Sequence, residues 1–351
     1  MRAMPLALLL LPFLGAFLSG CEAVTKALDS FQESPAPPPL VLRLSHYLGP
    51  DDDLSFIVQG FARAVNQRTE GRVRVLVYPN SQLVRLNDAF DAVSSGEIEA
   101  AIMPEAYAQP ALPAVGINSL PFLFSDWNGF QRVMQDPQFR QVLASEYLKR
   151  NLVALEWNVL GWRWLASNKR PVVRPDDLRG LKVRAEEWTE QTLVELAGGH
   201  PIRLPADDVY LSAQAGIVDA AFTSTDGFTR GNLHQVFGYY PKAQSWLSTV
   251  VVLVNKTFWD SLPQDIQIAI REAAHQFLWQ EWFKRVFDIE SGEWISIGAG
   301  REVYEFNDDD RRAWEEVVKA LEADYVREAG PVGQTLLDIA KEAAEEAGAA
   351  R

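Results

Sequence analysis

The sequence predicts an α/β protein made of two units, each a sheet covered by helices. Three observations lead to this prediction. Short apolar strands alternate with amphipathic helices from Leu40 onward, which is typical of an α/β architecture. The alternation begins a second time near Gly161. The chain has 351 residues, 48% of them hydrophobic and 23% charged, so it is long enough for two domains with sizeable cores.

The first unit follows the order strand, helix, strand, helix, strand. Asn87 is predicted to cap its second helix, whose inner face holds Phe90 and Val93. Ligands of such sheets bind outside the carboxyl ends of the strands. The predicted elements are the strand LVLRLS, the helix Phe56–Thr69, the strand RVRVLVYP, the helix after Asn87 and the strand EAAIM.

The second unit includes an unusually long helix. This helix opens after Leu262 and Pro263, and its many apolar positions predict that it packs against more than one core. The tail is helical and charged, with one apolar face. The predicted elements are the strand Leu181–Arg184, the helix Glu187–Leu196, a helix and a strand around Tyr210–Phe222, the strand Val250–Val254, the helix Pro263–Glu290 and the helical tail Asp308–Ala350.

The N-terminal segment is predicted not to be part of the fold. A basic residue, a short apolar run and small residues precede Cys21, the only cysteine of the chain. The apolar run is too short for a spanning helix, and the ending Leu-Ser-Gly-Cys resembles a bacterial lipobox, in which the cysteine is lipidated. A conventionally cleaved signal and a core cysteine are the alternatives. The proline-rich residues up to Leu40 predict an extended tether.

Composition and motifs argue against several classes of protein. Lys and Arg number 33 against 47 Asp and Glu, and the net charge of −14 argues against nucleic acid and anionic lipid as partners. The chain contains no G-x-S-x-G elbow, no Walker loop and no H-E-x-x-H motif. One cysteine excludes a C-x-x-C site, and the four histidines lack ligand spacing. The sequence therefore predicts no enzyme activity, no cofactor and no metal.

The stretch DDLRGLKVRAEEW contains the first candidate ligand-binding residue. Arg184 ends an apolar strand and precedes an acidic, helix-like run. Its planar guanidinium can donate two parallel hydrogen bonds to a carboxylate. The alternative is an ordinary surface arginine paired with Glu186 or Glu187, since such ion pairs are common and weak. The stretch by itself leaves both open.

Several segments, in a fixed order, carry a resemblance to one known family. They are FARAVNQRTEGRVRVLVYPNSQL, DAVSSGEIEAAIM, SLPFLF, GWRWLASNKRPVVRPDDLRGLKVR and DDVYLSAQAGIVDA. Together they make the chain, from about Leu42 to Leu278, similar to the DctP-type substrate-binding proteins of TRAP transporters (tripartite ATP-independent periplasmic transporters). Any one segment is a weak signal, but the set in family order is specific.

The resemblance implies a two-domain periplasmic-binding-protein-like fold with a cleft between two lobes. The chain would cross between the lobes at two hinges, near Gly161 and Val250, and the helix Pro263–Glu290 would span both. The implied function is capture of a small organic acid and its delivery to TRAP membrane subunits, by an exported periplasmic protein anchored to a membrane through Cys21. The implied division is a lipoprotein signal peptide over residues 1–20, a tether over 21–40, lobe I over 41–160 and 250–290, and lobe II over 161–249 and 291–345.

The resemblance also implies roles for individual residues. Arg184 would bind the ligand carboxylate, and Arg163 would support the ligand or Arg184, with a structural ion pair as its alternative. Many relatives have Glu-Asn or Glu-Trp where this chain has Phe222 and Thr223. Because the Glu-Trp version accompanies metal-bridged ligands in some members of the family, its absence argues against a metal. The predicted ligand contacts are Arg184, Arg163, Thr223, Phe222, Trp188, Trp246, His46 and Glu105.

A second function stays open at this point. Aromatic residues near the cleft and the departures at Phe222, Thr223 and Ala206 favour, in part, a lipoprotein of the same fold with an apolar or amphipathic ligand. Its partner would be a protein such as a tetratricopeptide-repeat lipoprotein. For each aromatic residue the alternative is plain core packing. A periplasmic enzyme on this scaffold is a third class, but no catalytic set is visible.

Overall fold

The computed structural model describes residues 38–124, 126–224, 227–228, 231–242, 246–297 and 302–349. The chain from Val41 onward forms one compact unit. The predicted signal peptide, Cys21 and most of the predicted tether lie outside the described residues. The division of the chain into two lobes at the predicted residues stays a prediction.

One ten-stranded sheet runs through this unit. Its strands are β1 Leu40–His46, β2 Val73–Tyr78, β3 Ala100–Pro104, β4 Leu152–Ser167, β5 Lys182–Arg184, β6 His200–Ile202, β7 Ala220–Ser224, β8 Tyr239–Lys242, β9 Trp246–Asn255 and β10 Glu302–Glu305. The main path has the order β2-β1-β3-β9-β4-β7-β5-β6, while β8 pairs with β4 and β10. The antiparallel pair β4–β9 therefore divides the sheet into a β1–β3 side and a β5–β7 side.

Helices pack against this sheet and connect its strands. They are α1 Asp53–Arg68, α2 Ala89–Ser95, α3 Trp127–Gln135, α4 Pro137–Leu148, α5 Trp188–Leu196, α6 Val209–Gln214, α7 Lys256–Ser261, α8 Gln264–Ala274, α9 Trp282–Ile297, α10 Asp308–Ala329 and α11 Pro331–Ala349. Carboxylate caps begin several of them; Asp52, for example, accepts a hydrogen bond from the backbone N–H of Leu54 at 2.8 Å.

The central strand β4 changes register at Gly161. The pairing with β9 shifts between Val159 and Gly161, and Gly161 has a φ of +131°. A Cβ at this position would lie 2.3 Å from Oε1 of Glu290, which accepts a hydrogen bond from the backbone N–H of Trp162 at 3.2 Å. Only glycine fits such a bulge without strain. Gly161 pairs with Ser248 of β9, so the two predicted crossings lie on neighbouring strands.

The long predicted helix is confirmed and extends beyond its predicted end. A π-helical segment, His275–Glu281, joins α8 to α9, so that helical structure continues from residue 264 to 297. π segments leave backbone carbonyls without their usual partners. Here Nδ2 of Asn158 donates to the carbonyls of Leu278 and Trp279, each at 2.9 Å, which ties the helix to β4. Among the described helices, none is long and apolar enough to cross a membrane.

Two predicted details of helix ends have different outcomes. The cap predicted at Asn87 is wrong: Asn87 lies inside a 3-10 turn over Leu86–Asp88 that leads directly into α2. That turn already pairs the first N–H groups with backbone carbonyls, so no side-chain cap is required. The predicted start of the helical tail at Asp308 is confirmed: Asn307 caps this helix, because Asn307 and Asp310 exchange side-chain-to-backbone hydrogen bonds in a capping box.

Candidate ligand-binding site

A cavity of about 570 Å³ lies where several strands end. β1, β3, β5 and β7 finish beside it, and residues at or just after their last positions line it. This is the place where α/β sheets bind ligands. The polar side chains that line the cavity include Tyr47, Asn80, Arg85, Asn87, Tyr107, Arg163, Arg184, Glu186, Glu187, Thr223, Ser224 and Ser248.

Arg184 reaches this cavity from the end of β5 and is only 3% exposed. Its Nε donates to the carbonyl of Leu204 at 3.0 Å and its Nη1 to the carbonyl of Phe222 at 2.9 Å. Its Nη2 donates to Oε2 of Glu186 at 2.9 Å. A guanidinium has five N–H groups. These three bonds therefore hold the side chain in place and, among the described residues, leave one N–H on each terminal nitrogen.

Arg163 lines the same cavity from β4 and is paired with acidic side chains. Its Nη2 lies 2.7 Å from Oε1 of Glu190, and its Nη1 lies 3.8 and 3.9 Å from Glu186 and Glu187. Burial opposes the charge, but these three carboxylates, Glu190 foremost, outweigh it and raise the pKa of Arg163 above its usual value. The Nε of Arg163 has no hydrogen-bond partner among the described residues.

The three glutamates belong to the beginning of α5. Oε2 of Glu190 accepts from the backbone N–H groups of Glu186 at 2.9 Å and Glu187 at 3.3 Å, which satisfies two donors that the helix leaves free. Burial raises the pKa of Glu187 to about 7, and the neighbouring Glu190 adds to this shift. For Glu186, burial is outweighed by Arg184 and Arg163, which hold its pKa below the usual value.

A tyrosine links the two sides of the sheet across the cavity. Tyr107 follows β3, and its hydroxyl donates to Oε1 of Glu186, which follows β5, at 3.1 Å. Burial, followed by the negative charge of Glu186, raises the pKa of Tyr107. The phenol therefore keeps its proton and acts as the donor.

The structure brings three of the predicted ligand contacts to this cavity: Arg184, Arg163 and Thr223. Trp188 lies instead in a neighbouring cavity of about 410 Å³, together with Asp324 and Arg327 of α10. Glu186 lines both cavities.

The other two predicted aromatic contacts lie in the core. Phe222 is fully buried and Trp246 is 5% exposed. Their rings pack edge to face with centroids 5.2 Å apart, and Trp246 also packs against Phe122 and Trp314. Phe222 contributes to the cavity through its backbone, because its carbonyl positions Arg184.

His46 and Glu105 are also buried and do not line the cavity. Burial lowers the pKa of His46 to about 4, so the ring stays neutral at physiological pH. Glu105 is fully buried, and burial raises its pKa although four hydrogen bonds oppose the shift. These bonds come from Asn118, Tyr147, Thr249 and Trp157 at 2.7 to 3.1 Å. Glu105 is thus a buried centre that joins several segments.

Sequence reasoning did not select Tyr107, Glu186, Asn80 or Ser248, although all four line the cavity. A usable signal was present for the first three, because each follows the end of a strand by two or three residues. In the part of the chain that the structure describes, no three His, Cys, Asp or Glu side chains are grouped so that they could hold a metal ion.

A two-lobed α/β fold with a polar cavity at its strand ends defines the class of periplasmic-type solute-binding proteins. Residues 44–328 match the family described as bacterial extracellular solute-binding protein, family 7 (DctP), and the chain belongs to that family. The family is one of solute-binding proteins, not of enzymes. The family resemblance seen in the sequence is therefore confirmed.

Individual relatives agree with this assignment. A solute-binding protein of Chromohalobacter salexigens is 28% identical over 290 residues, which cover 80% of this chain and 83% of the relative. The C4-dicarboxylate-binding periplasmic protein DctP of Rhodobacter capsulatus is 25% identical over 295 residues, or 83% and 88% of the two chains. A crystal structure of a TRAP periplasmic solute-binding protein from Chromohalobacter salexigens, with bound D-glucuronate, has a similar fold, with a TM-score of 0.78. The two chains are 27% identical, and the match covers 86% of this chain and 99% of the other.

Proposed function

We propose that this protein is the extracytoplasmic substrate-binding component of a TRAP-type transporter. It captures a small organic acid in the cavity between the two sides of the sheet and delivers it to the membrane subunits. The observation that carries this proposal is Arg184, which is buried in the cavity wall with one N–H left on each terminal nitrogen. The terminal nitrogens of one planar cation can donate to the two oxygens of a carboxylate.

The ligands named for relatives support a carboxylate at this position. D-glucuronate is bound in the related protein of Chromohalobacter salexigens, and the Rhodobacter capsulatus relative is named for C4-dicarboxylates. Both ligands carry a carboxylate. Arg163, with its Nε unpaired among the described residues, is a second donor on the same cavity wall.

The placement of the aromatic side chains favours the organic acid over an amphipathic ligand passed to a tetratricopeptide-repeat lipoprotein. That alternative relied on an apolar pocket containing Phe222. The Phe222 and Trp246 rings pack against each other in the core, and charged and hydroxyl side chains line much of the cavity. Buried polar groups of this kind reject a ligand that leaves them unpaired.

Export and lipid anchoring through Cys21 complete the proposal. A lipid on Cys21, followed by a proline-rich spacer, would hold the protein at the membrane face where it meets the transporter subunits. Cys21→Ser should move the protein from the membrane fraction to the soluble extract and leave ligand binding unchanged. If the variant stays in the membrane fraction, the anchor is not at Cys21.

The function is tested by a thermal-shift screen against monocarboxylates, dicarboxylates, sugar acids, keto acids and fatty acids, since a ligand that binds only the folded state raises its melting temperature. Calorimetry with the best acid then compares variants. Arg184→Ala should weaken binding by about 30-fold to several thousand-fold, which corresponds to about 2–5 kcal/mol for one truncated partner of a buried charge pair.

Two further variants make this result specific. Arg184→Lys should recover only part of the affinity, because the single ammonium group of lysine cannot donate the two parallel hydrogen bonds of a guanidinium. Arg179→Ala is the matched control, since Arg179 is a highly exposed arginine of the same segment paired with Asp176. Thermal melts must show that Arg184→Ala stays folded, because Arg184 also binds two carbonyls. A folded Arg184→Ala protein that binds its acid as well as the wild type would contradict the assignment.

A further inference from the structure

The buried ion pairs beside the cavity contain more carboxyl groups than guanidinium groups, because Glu190, which does not line the cavity, belongs to the same cluster. Two guanidinium groups, those of Arg184 and Arg163, face the three carboxyl groups of Glu186, Glu187 and Glu190 within 3.9 Å. All five residues have less than a quarter of their side chains exposed. A ligand that brings only a carboxylate adds a further negative charge to this group, which costs free energy at low dielectric.

The nearest of these carboxyl groups to the proposed ligand position is that of Glu186. Its Oε2 shares Nη2 of Arg184 at 2.9 Å, and its Oε1 accepts from Tyr107 at 3.1 Å. A carboxylate offers about four lone-pair positions, so two remain after these bonds. A carboxylate bound to the free N–H of the same Nη2 therefore lies beside an acceptor with spare capacity.

Exposed arginines do not change this balance near Glu186. Arg85 lines the same cavity, and Arg203 lines the neighbouring cavity together with Glu186. Both arginines are exposed, so water and salt screen their charges more strongly than those of the buried pair.

We propose that the ligand is an α-amino acid or a closely similar zwitterion, whose carboxylate binds Arg184 and whose ammonium group binds Glu186. This inference rests on the proposed function, since it takes the carboxylate contact at Arg184 as given. An ammonium group supplies N–H donors that Glu186 can accept, and its positive charge offsets the third carboxyl group of the buried ion-pair cluster. A hydroxyl group at the same carbon supplies a donor but no charge.

The test uses matched acids that differ at one atom position. The series are L-alanine, L-lactate and pyruvate; L-glutamate, L-2-hydroxyglutarate and 2-oxoglutarate; and L-phenylalanine, L-phenyllactate and phenylpyruvate. Calorimetry at pH 7.5 should show that in the best-bound series the amino acid binds at least about tenfold more tightly than the hydroxy acid and the keto acid, or about 1.4 kcal/mol. A hydroxy or keto acid that binds more tightly than its amino counterpart, or no binding of any amino acid, overturns the inference.

Variants of Glu186 test the named contact. Glu186→Gln keeps one oxygen acceptor, which can serve either Tyr107 or Arg184, and removes the charge, so amino-acid affinity should fall about tenfold or more while hydroxy-acid affinity rises. Glu328→Gln changes an exposed acid of the neighbouring cavity and should leave the ratio of amino-acid affinity to hydroxy-acid affinity unchanged. If Glu186→Gln increases the affinities for amino and hydroxy acids equally, Glu186 only competes with the ligand carboxylate for Arg184. That result overturns the inference.

The same experiment separates this inference from the proposed function. Arg184→Ala should lower the affinity for every acid of a series, whereas Glu186→Gln should change the order of the affinities within the series. Binding of simple acids that depends on Arg184, without any preference for the amino member, would preserve the proposed function and reject the zwitterion. Amino-acid binding that is insensitive to Arg184→Ala in a folded variant would reject the carboxylate contact itself.

Discussion

The hydroxyl of Tyr107 donates a hydrogen bond to Oε1 of Glu186 at 3.1 Å, and this bond crosses the cavity. Tyr107 belongs to the β1–β3 side of the sheet and Glu186 to the β5–β7 side. The protein itself therefore supplies one polar link between the two walls. A ligand that contacts residues of both walls would add further links of this kind.

Removal of the Tyr107 hydroxyl should weaken the link. We expect Tyr107→Phe to lower the free energy of unfolding by about 1 kcal/mol, the usual contribution of a partly buried hydrogen bond. Urea titration followed by circular dichroism measures the change. Tyr210→Phe is the control, because its hydroxyl bonds to Gln235 at an exposed position, and it should have a smaller effect. Equal stability of Tyr107→Phe and wild type would contradict the contribution assigned to this bond.

Glu187 should make stability depend on pH. Burial and then Glu190 raise its pKa from an ordinary value of 4.5 to about 7, against Arg163 and Ser119, which lower it. Between these pH values the folded protein holds a proton that the unfolded chain releases, so this group's contribution is full below about pH 4.5 and is lost as pH rises through 7. Glu187→Gln removes the titration. Its melting temperature, relative to wild type, should therefore rise from pH 5 to pH 8.

The control for this prediction is Glu195→Gln, an exposed glutamate on the same helix, α5. The difference in melting temperature between Glu195→Gln and the wild type should stay constant over the same pH range. Scanning calorimetry in matched buffers measures both melting temperatures. If the difference in melting temperature between Glu187→Gln and the wild type does not change with pH, Glu187 does not titrate in this window.

Gly161 should be the least replaceable glycine of the central strands. Alanine there combines a φ of +131° with a Cβ 2.3 Å from Glu290. We expect Gly161→Ala to lower the free energy of unfolding by about 3 kcal/mol. Gly216→Ala separates the two effects, because Gly216 has a φ of +69° but nothing within 4 Å of its Cβ, and should cost about 1 kcal/mol. Equal losses in the two variants would mean that the contact with Glu290 relaxes freely.

The sequence predicted the positions of the elements better than the directions of their side chains. Strand ends located Arg184 correctly, since the carboxyl edge of a sheet is a property of the backbone. Thr223 and Phe222 were both predicted as ligand contacts, yet neighbours on a strand face opposite sides. On β7 the Thr223 side chain lines the cavity and the Phe222 side chain packs in the core.

Local sequence patterns could not predict contacts between segments that are far apart in the chain. Glu105 follows β3 and looked like other polar residues at strand ends. Its partners, however, are separated from it by between 13 and 144 residues along the chain. Only the folded topology brings Asn118 and Thr249 to the same carboxylate. The ion pair of Arg184 with Glu186, in contrast, joins residues two positions apart, and the sequence indicated it as an alternative.

Arg163 is expected to matter strongly for stability. Its Nη2 lies 2.7 Å from Oε1 of Glu190, which is 1% exposed, and Glu187 is 5% exposed. Removal of one partner of a buried ion pair leaves the other charge without compensation, at a cost of about 3–5 kcal/mol. We therefore expect Arg163→Gln to unfold at lower urea concentration than Arg184→Gln. Arg184 has two carbonyl partners, and its acidic partner Glu186 is partly exposed.

A double variant distinguishes an unpaired charge from lost packing. Glutamine at position 190 keeps an oxygen that can accept the backbone N–H groups of Glu186 and Glu187, but it carries no charge. Arg163→Gln combined with Glu190→Gln should therefore be more stable than the sum of the two single losses predicts, by about 1–3 kcal/mol of coupling free energy. Equilibrium urea unfolding of the four proteins gives this coupling directly. Additive losses would mean that Arg163 does not stabilise the start of α5 through Glu190.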